Sequence, residues 1–181
     1  VLDSLSLCLE ELSAILELPI PSDLQNPPDL TDLEVAYTGL FINRINGAPA
    51  PPYGSVYLDK EARLMGVSCQ QVAEKYQEEG LNLEGSSEPP DFLATELEFL
   101  YYLADNEEAA EVSGETAAAL HWRQKQQQFC HALLSPWLPE FCRRVRESDG
   151  AHQFYRFAAD VLEIVGQQQG DGFRPADRII N

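Results

Sequence analysis

The chain is short of positive charge: twelve Lys and Arg stand against thirty Asp and Glu, a formal net charge of −18 over 181 residues. A field of that sign repels nucleic acid and anionic membrane surfaces and speeds encounter with cationic ligands. Cysteine is sparse, and Cys8, Cys69, Cys130 and Cys142 form no C-x-x-C pair. A disulfide framework needs denser cysteines in a smaller chain, so reduced thiols and a cytoplasmic setting are expected. No apolar run approaches the roughly 20 residues of a membrane-spanning helix. The opening Val1-Leu2-Asp3-Ser4-Leu5 lacks the basic region that starts a secretory signal. It also lacks an initiator Met, so a longer natural N-terminus is expected.

Motifs of chemistry are missing as well. There is no G-x-x-x-x-G-K-[ST] phosphate loop, no G-x-S-x-G elbow and no H-E-x-x-H pair. The Glu-x-x-His pairs of di-iron bundles are absent too. Asp149-x-x-His152 straddles Gly150 and reads as a turn. Cys130 and His131 are neighbours on a helix and point about 100° apart, a poor arrangement for one ion. The expectation is a binding protein with no catalytic residue, no metal and no cofactor.

What is present is helical periodicity. Leu5, Leu9, Leu12 and Leu16 predict a helix over 4–18, stopped by Pro19 and Pro21. A second is expected from Leu30 to about Ile45, with Leu33, Tyr37, Leu40 and Phe41 on one face and Asn46-Gly47 at its end. The proline-rich stretch 48–59 reads as an extended loop. Its Tyr53, Val56 and Tyr57 call for burial, so it either packs across a core or lines a groove. Asp59 is expected to cap a short helix through Met65, and Ser68 another through about Glu79, closed by Gly80. The strongest helix spans 92–104: Leu93, Leu97, Leu100 and Ala104 make a stripe widened by Phe92, Phe99 and Leu103, with Glu96 and Glu98 off it. Further helices are expected over 117–134, 137–146 and 153–167.

No segment alternates as a strand does. The expected fold is therefore all-α, a single bundle of six to eight helices. Its halves, 1–87 and 88–170, would join at a hinge near 84–91, with a loop tail over 171–181. A stiff hinge of this kind can favour exchange between protomers, so a monomer with a minor swapped dimer is expected. Between Lys75 and Arg123 lie twelve acids, Glu78 to Glu115, and no base. Such a run is either a solvated face or an acidic rim beside an apolar groove, suited to a ligand with a basic head and an apolar body.

Three words occur in order: E-V-A-Y-T-G-L-F (34–41), A-P-P-Y-G-S-V-Y-L-D (50–59) and E-P-P-D-F-L-A-T-E-L-E-F-L (88–100). Together they resemble the TorD/DmsD family of molybdoenzyme chaperones over about residues 30–165. The resemblance implies an all-helical cytoplasmic protein that binds the twin-arginine leader, the apo form or both of a molybdenum-cofactor oxidoreductase. It would hold that client until its cofactor is loaded and then release it for export. By motif match the leader site implied is Tyr53, Gly54, Ser55, Tyr57, Glu88, Pro90, Asp91 and Phe92. Tyr37, Leu40 and Phe41 match the first word but read more strongly as core. The family's usual His after the Asp is Phe92 here, and its frequent loop Trp is Tyr53. Members of the family carry a further helical stretch before the position of Val1. Two alternatives stand beside this reading: an acidic scaffold for another protein, and a nucleotide-binding protein with weak hydrolase activity.

Overall fold

The computed structural model describes residues 2–24, 29–42, 47–60, 64–82, 85 and 87–171. Among the described residues eight α-helices follow one another: α1 Leu2–Leu16, α2 Leu30–Tyr37, α3 Ser55–Leu58, α4 Val67–Glu78, α5 Leu93–Val112, α6 Thr116–Phe129, α7 Leu138–Glu147 and α8 Gln153–Asp171. Two wide π turns, Thr38–Ile42 and Cys130–Leu134, prolong α2 and α6, and Ser22–Leu24 forms one 3₁₀ turn. No strand occurs among the described residues, so the all-α expectation is borne out. Among the described residues no helix is long and apolar enough to cross a membrane.

The chain divides into two compact units, residues 1–51 with 139–181, and residues 52–138. In the first, α2 begins at Asp29, whose Oδ1 accepts from the N–H of Thr31 at 2.8 Å and of Asp32 at 3.3 Å. These are two of the donors that a helix start leaves without intrahelical partners. Leu24, Phe157 and Val161 form a small core on which Leu16, Leu18 and Ile20 also pack. Leu12, expected on the inner face of α1, is exposed instead. Arg146 joins α7 to α8 through Asp160 at 3.1 Å and Glu163 at 2.6 Å.

The second unit is organised by α5 and α6, which return on each other through Ser113 and Gly114, the latter at φ +75°. Val72, Tyr76, Phe99, Leu103, Phe129 and Leu133 form its core, with Leu81, Leu100, Tyr102 and Trp122 against them. Removing apolar surface of this extent from water is the main source of the unit's stability.

Four expectations need correction. Helix α5 runs to Val112, well past 104, because nothing helix-breaking intervenes before Gly114. Its buried face is Leu93, Glu96, Phe99, Leu103 and Ala110; Ala104 is exposed, and Glu96, expected off the stripe, is buried. The loop 48–59 contains a helical turn, α3, which starts as soon as the prolines end. Asp59 serves the helix that follows at a distance: its carboxyl accepts from the Ser68 N–H at 3.3 Å and its hydroxyl at 3.2 Å, at the start of α4. Gly80 closes α4 at φ +73°, as its position suggested. The end of the second helix at Asn46, residues 61–63, Glu84 and Ser86 of the hinge, and the tail beyond Asp171 lie outside the described residues.

Candidate functional site

Three prolines keep residues 49–52 extended, and the chain turns helical at Gly54, with φ −56° and ψ −40°. Two backbone hydrogen bonds fasten this corner to the start of α5. Leu93 N donates to Pro52 O at 2.9 Å, and Gly54 N to Asp91 O at 3.0 Å. Between them Tyr53 and Phe92 pair as a single antiparallel bridge, their rings 5.5 Å apart. The Asp91 side chain completes the joint, its Oδ2 accepting from the buried Ser55 N–H at 2.7 Å. On the outer side Tyr53 donates its hydroxyl to Glu88 Oε2 at 2.9 Å. From α4, Tyr76 donates to Pro90 O at 2.9 Å.

All eight residues named from the second and third words therefore lie along one joint within the second unit. Glu88 is exposed, and Tyr53, Tyr57, Pro90 and Phe92 are half-buried; Gly54, Ser55 and Asp91 are buried. Asp91 is 0% exposed, so it neither faces solvent nor caps α5, whose cap position is Phe92 without a side-chain bond. Its carboxyl instead holds the first residue of α3. The first word behaves differently. Leu40 is core, and Tyr37 and Phe41 belong to an aromatic group with Phe141 and Tyr155 in the other unit, Phe41 lying 5.4 Å from Tyr155. The Tyr155 hydroxyl ends on Leu33 O at 3.0 Å.

Beneath Gly54 lies a feature that sequence reasoning missed. Glu96 is 0% exposed and Trp137 is 1% exposed. A Cβ on Gly54 would stand 3.1 Å from Trp137 Nε1 and 3.4 Å from Glu96 Oε1, so glycine is required there for close approach, not for its dihedral freedom. Tyr57 stacks on Trp137 at 5.3 Å. Burial, and secondly the charge of Asp91, hold the Glu96 carboxyl well above the usual carboxylate range. A hydrogen bond with the Trp137 indole acts in the opposite direction, after these two. Its surroundings in the core thus favour the neutral form of Glu96. The available signal was its i+3 relation to both Leu93 and Phe99.

The same acids keep their neighbours protonated. Burial, then a hydrogen bond with Asp91, pushes the Cys69 thiol up to about 12. Burial and Glu96 push Cys130 to about 11, and burial followed by Glu96 and Asp91 raises the Tyr76 hydroxyl. A thiol that stays protonated is a poor nucleophile and a poor metal ligand. No metal-binding cluster of His, Cys, Asp or Glu occurs among the described residues.

The acidic run is split among several tasks. Glu78 pairs with Lys75 at 2.7 Å, Glu79 with Lys125 at 2.6 Å and Glu111 with Arg123 at 2.7 Å. Glu107 accepts from Arg123 Nε and from Gln126 Nε2, both at 2.6 Å. Asp91 and Glu96 are inside, and Glu98, Asp105, Glu108 and Glu115 face solvent.

A family profile described as "nitrate reductase delta subunit" matches residues 3–143. The chain belongs to that family. Among curated relatives, the chaperone protein TorD of Vibrio cholerae is 37% identical over 149 residues, covering 81% of this chain and 65% of that protein. The Tat proofreading chaperone DmsD of Salmonella typhi is 32% identical, covering 73% of this chain and 57% of its own. A selenate reductase assembly chaperone protein of Thauera selenatis is 42% identical over 72 residues, 40% of this chain and 36% of its own. A solved structure, described as a candidate redox enzyme maturation protein of Archaeoglobus fulgidus, superposes with a TM-score of 0.58 at 26% identity. The match covers 91% of this chain and 83% of that one. The likeness to TorD and DmsD drawn from the three words is borne out. The chain spans 61 to 65% of the length of the first two TorD relatives it matches.

Proposed function

We propose that the chain is a cytoplasmic maturation chaperone for a molybdenum-cofactor oxidoreductase, without catalysis of its own. It binds the client's twin-arginine leader, its apo form or both, and holds it until cofactor loading permits export. The observation that carries this reading is the joint between residues 52–58 and 88–93, where two of the family's words meet. Tyr53, Tyr57, Pro90 and Phe92 offer an amphipathic, partly exposed face there, with Glu88 at its edge, while Gly54, Ser55 and Asp91 hold its shape. An exposed Arg–carboxylate pair contributes only about 0–1 kcal/mol, whereas a micromolar complex needs about 8 kcal/mol. The apolar part of the leader must therefore supply most of the affinity through the aromatic residues. The working unit is a single domain, mainly monomeric, with a minor dimer exchanged through the 84–91 hinge.

Co-purification from the native organism, followed by identification of bound proteins, tests the client. The expected partner is a molybdoenzyme catalytic subunit bearing a twin-arginine leader. Reproducible recovery of a partner with neither property would overturn the reading.

A further inference from the structure

The joint rests on two carboxyl groups with no base near them. Glu96 reaches up to Gly54 and Asp91 is bonded to Ser55, so both acids sit under the same two residues of the loop. The groups around them are named easily: Tyr76 and Cys69 from α4, Cys130 from the π turn after α6, and Tyr57 and Trp137 stacked on each other. None carries a positive charge. Burial, and secondly the nearby Asp91, both act against a charge on Glu96. A charge on Glu96 calls for water, and the loop residue that lies over its 0% exposed carboxyl is Gly54, whose Cβ position is 3.4 Å from Oε1.

We propose that Glu96 is a positioning residue that gates residues 52–58: neutral, it lets the segment seat on the start of α5, and ionised, it drives the segment off. The raised affinity of Glu96 for its proton is the same coupling seen from the other side. Release would take apart the face on which Tyr53 pairs with Phe92. For what that release does, the inference rests on the leader-binding reading; for the release itself it does not.

Amide hydrogen exchange of the full chain without ligand tests the gate. The N–H groups of Gly54, Ser55 and Leu93, all bonded across the joint, report its opening. Their protection factors should fall by up to about tenfold per pH unit above the ordinary carboxyl range, one proton's worth. In Glu96→Gln and in Glu96→Met, either of which serves if the other fails to fold, they should be flat with pH. A wild-type profile without slope, or the same slope in a folded variant, would overturn the gate. So would protection at Gly54, Ser55 and Leu93 as high as that of Leu103 at every pH, which would assign the exchange to global unfolding. A twin-arginine leader peptide, added separately, should bind wild type more weakly as pH rises and should bind Glu96→Gln at least as tightly as wild type, without pH dependence. Absence of leader binding together with the expected exchange profile would remove the leader reading and leave the gate standing. Leader binding with a flat wild-type exchange profile would do the reverse.

Discussion

Replacing Asp91 by Ala distinguishes a residue that builds the site from one that touches the ligand. The side chain is 0% exposed and its Oδ2 lies 2.7 Å from the Ser55 N–H. Truncation removes a hydrogen bond to a charged group, worth about 1.5–3 kcal/mol, and leaves a buried donor with no acceptor. Relief of the repulsion on Glu96 offsets part of the loss, so a net destabilisation of about 2 kcal/mol is expected. For a chain of this size each kcal/mol moves Tm by roughly 2–4 °C, giving a fall of roughly 4–8 °C in calorimetry. Asp91→Asn keeps an oxygen acceptor and should lose less than about 1 kcal/mol. Leader affinity should follow stability: reduced in Asp91→Ala, near wild type in Asp91→Asn. An unchanged Tm in Asp91→Ala, with affinity lost about 10- to 150-fold in both variants, would refute the reasoning. It would mean that Asp91 turns outward to meet a leader arginine.

Other outcomes follow from the same joint. Gly54→Ala places a methyl group 3.1 Å from Trp137 Nε1. Overpacking of this kind should destabilise by about 1–3 kcal/mol, read as a lower urea midpoint; an unchanged midpoint would contradict the close approach. Glu96 has a folded pKa raised by burial and by Asp91. Its contribution is therefore fully present below the ordinary carboxyl range and is lost as pH rises toward the folded value, with a slope of up to about 1.4 kcal/mol per pH unit. Urea unfolding between pH 5 and 8, a window set by roughly the ordinary carboxyl value and above, should show that decline in wild type and its absence in Glu96→Gln.

Much of this architecture is legible in the residues themselves. Leu93, Phe99 and Leu103 mark α5 because apolar burial and the 3.6-residue period select the same positions. Gly80 and Asp29 work where local backbone chemistry predicts, since capping depends on a few neighbouring atoms. What escaped depended on distant partners. Glu96 looks like a solvated acid until Gly54 and Trp137 are brought over it. Asp59 looks like a cap for the residues next to it, yet it reaches Ser68 nine positions on. Asp91 looks like the N-cap of α5, yet the acceptor it supplies goes to Ser55, thirty-six residues earlier. The second and third words singled out candidate residues, but not the joint that these residues form. Their pairing is a long-range backbone match with no local period to reveal it.

Calorimetric titration of the full chain with a twin-arginine leader from its own organism tests the central claim most directly, with a twin-lysine copy as control. A micromolar 1:1 complex is expected, some 8 kcal/mol, weakening moderately with salt and lost in large part in Tyr53→Ala without a change in salt dependence. No heat with any twin-arginine leader of that organism, in a chain shown to be folded, would contradict the account.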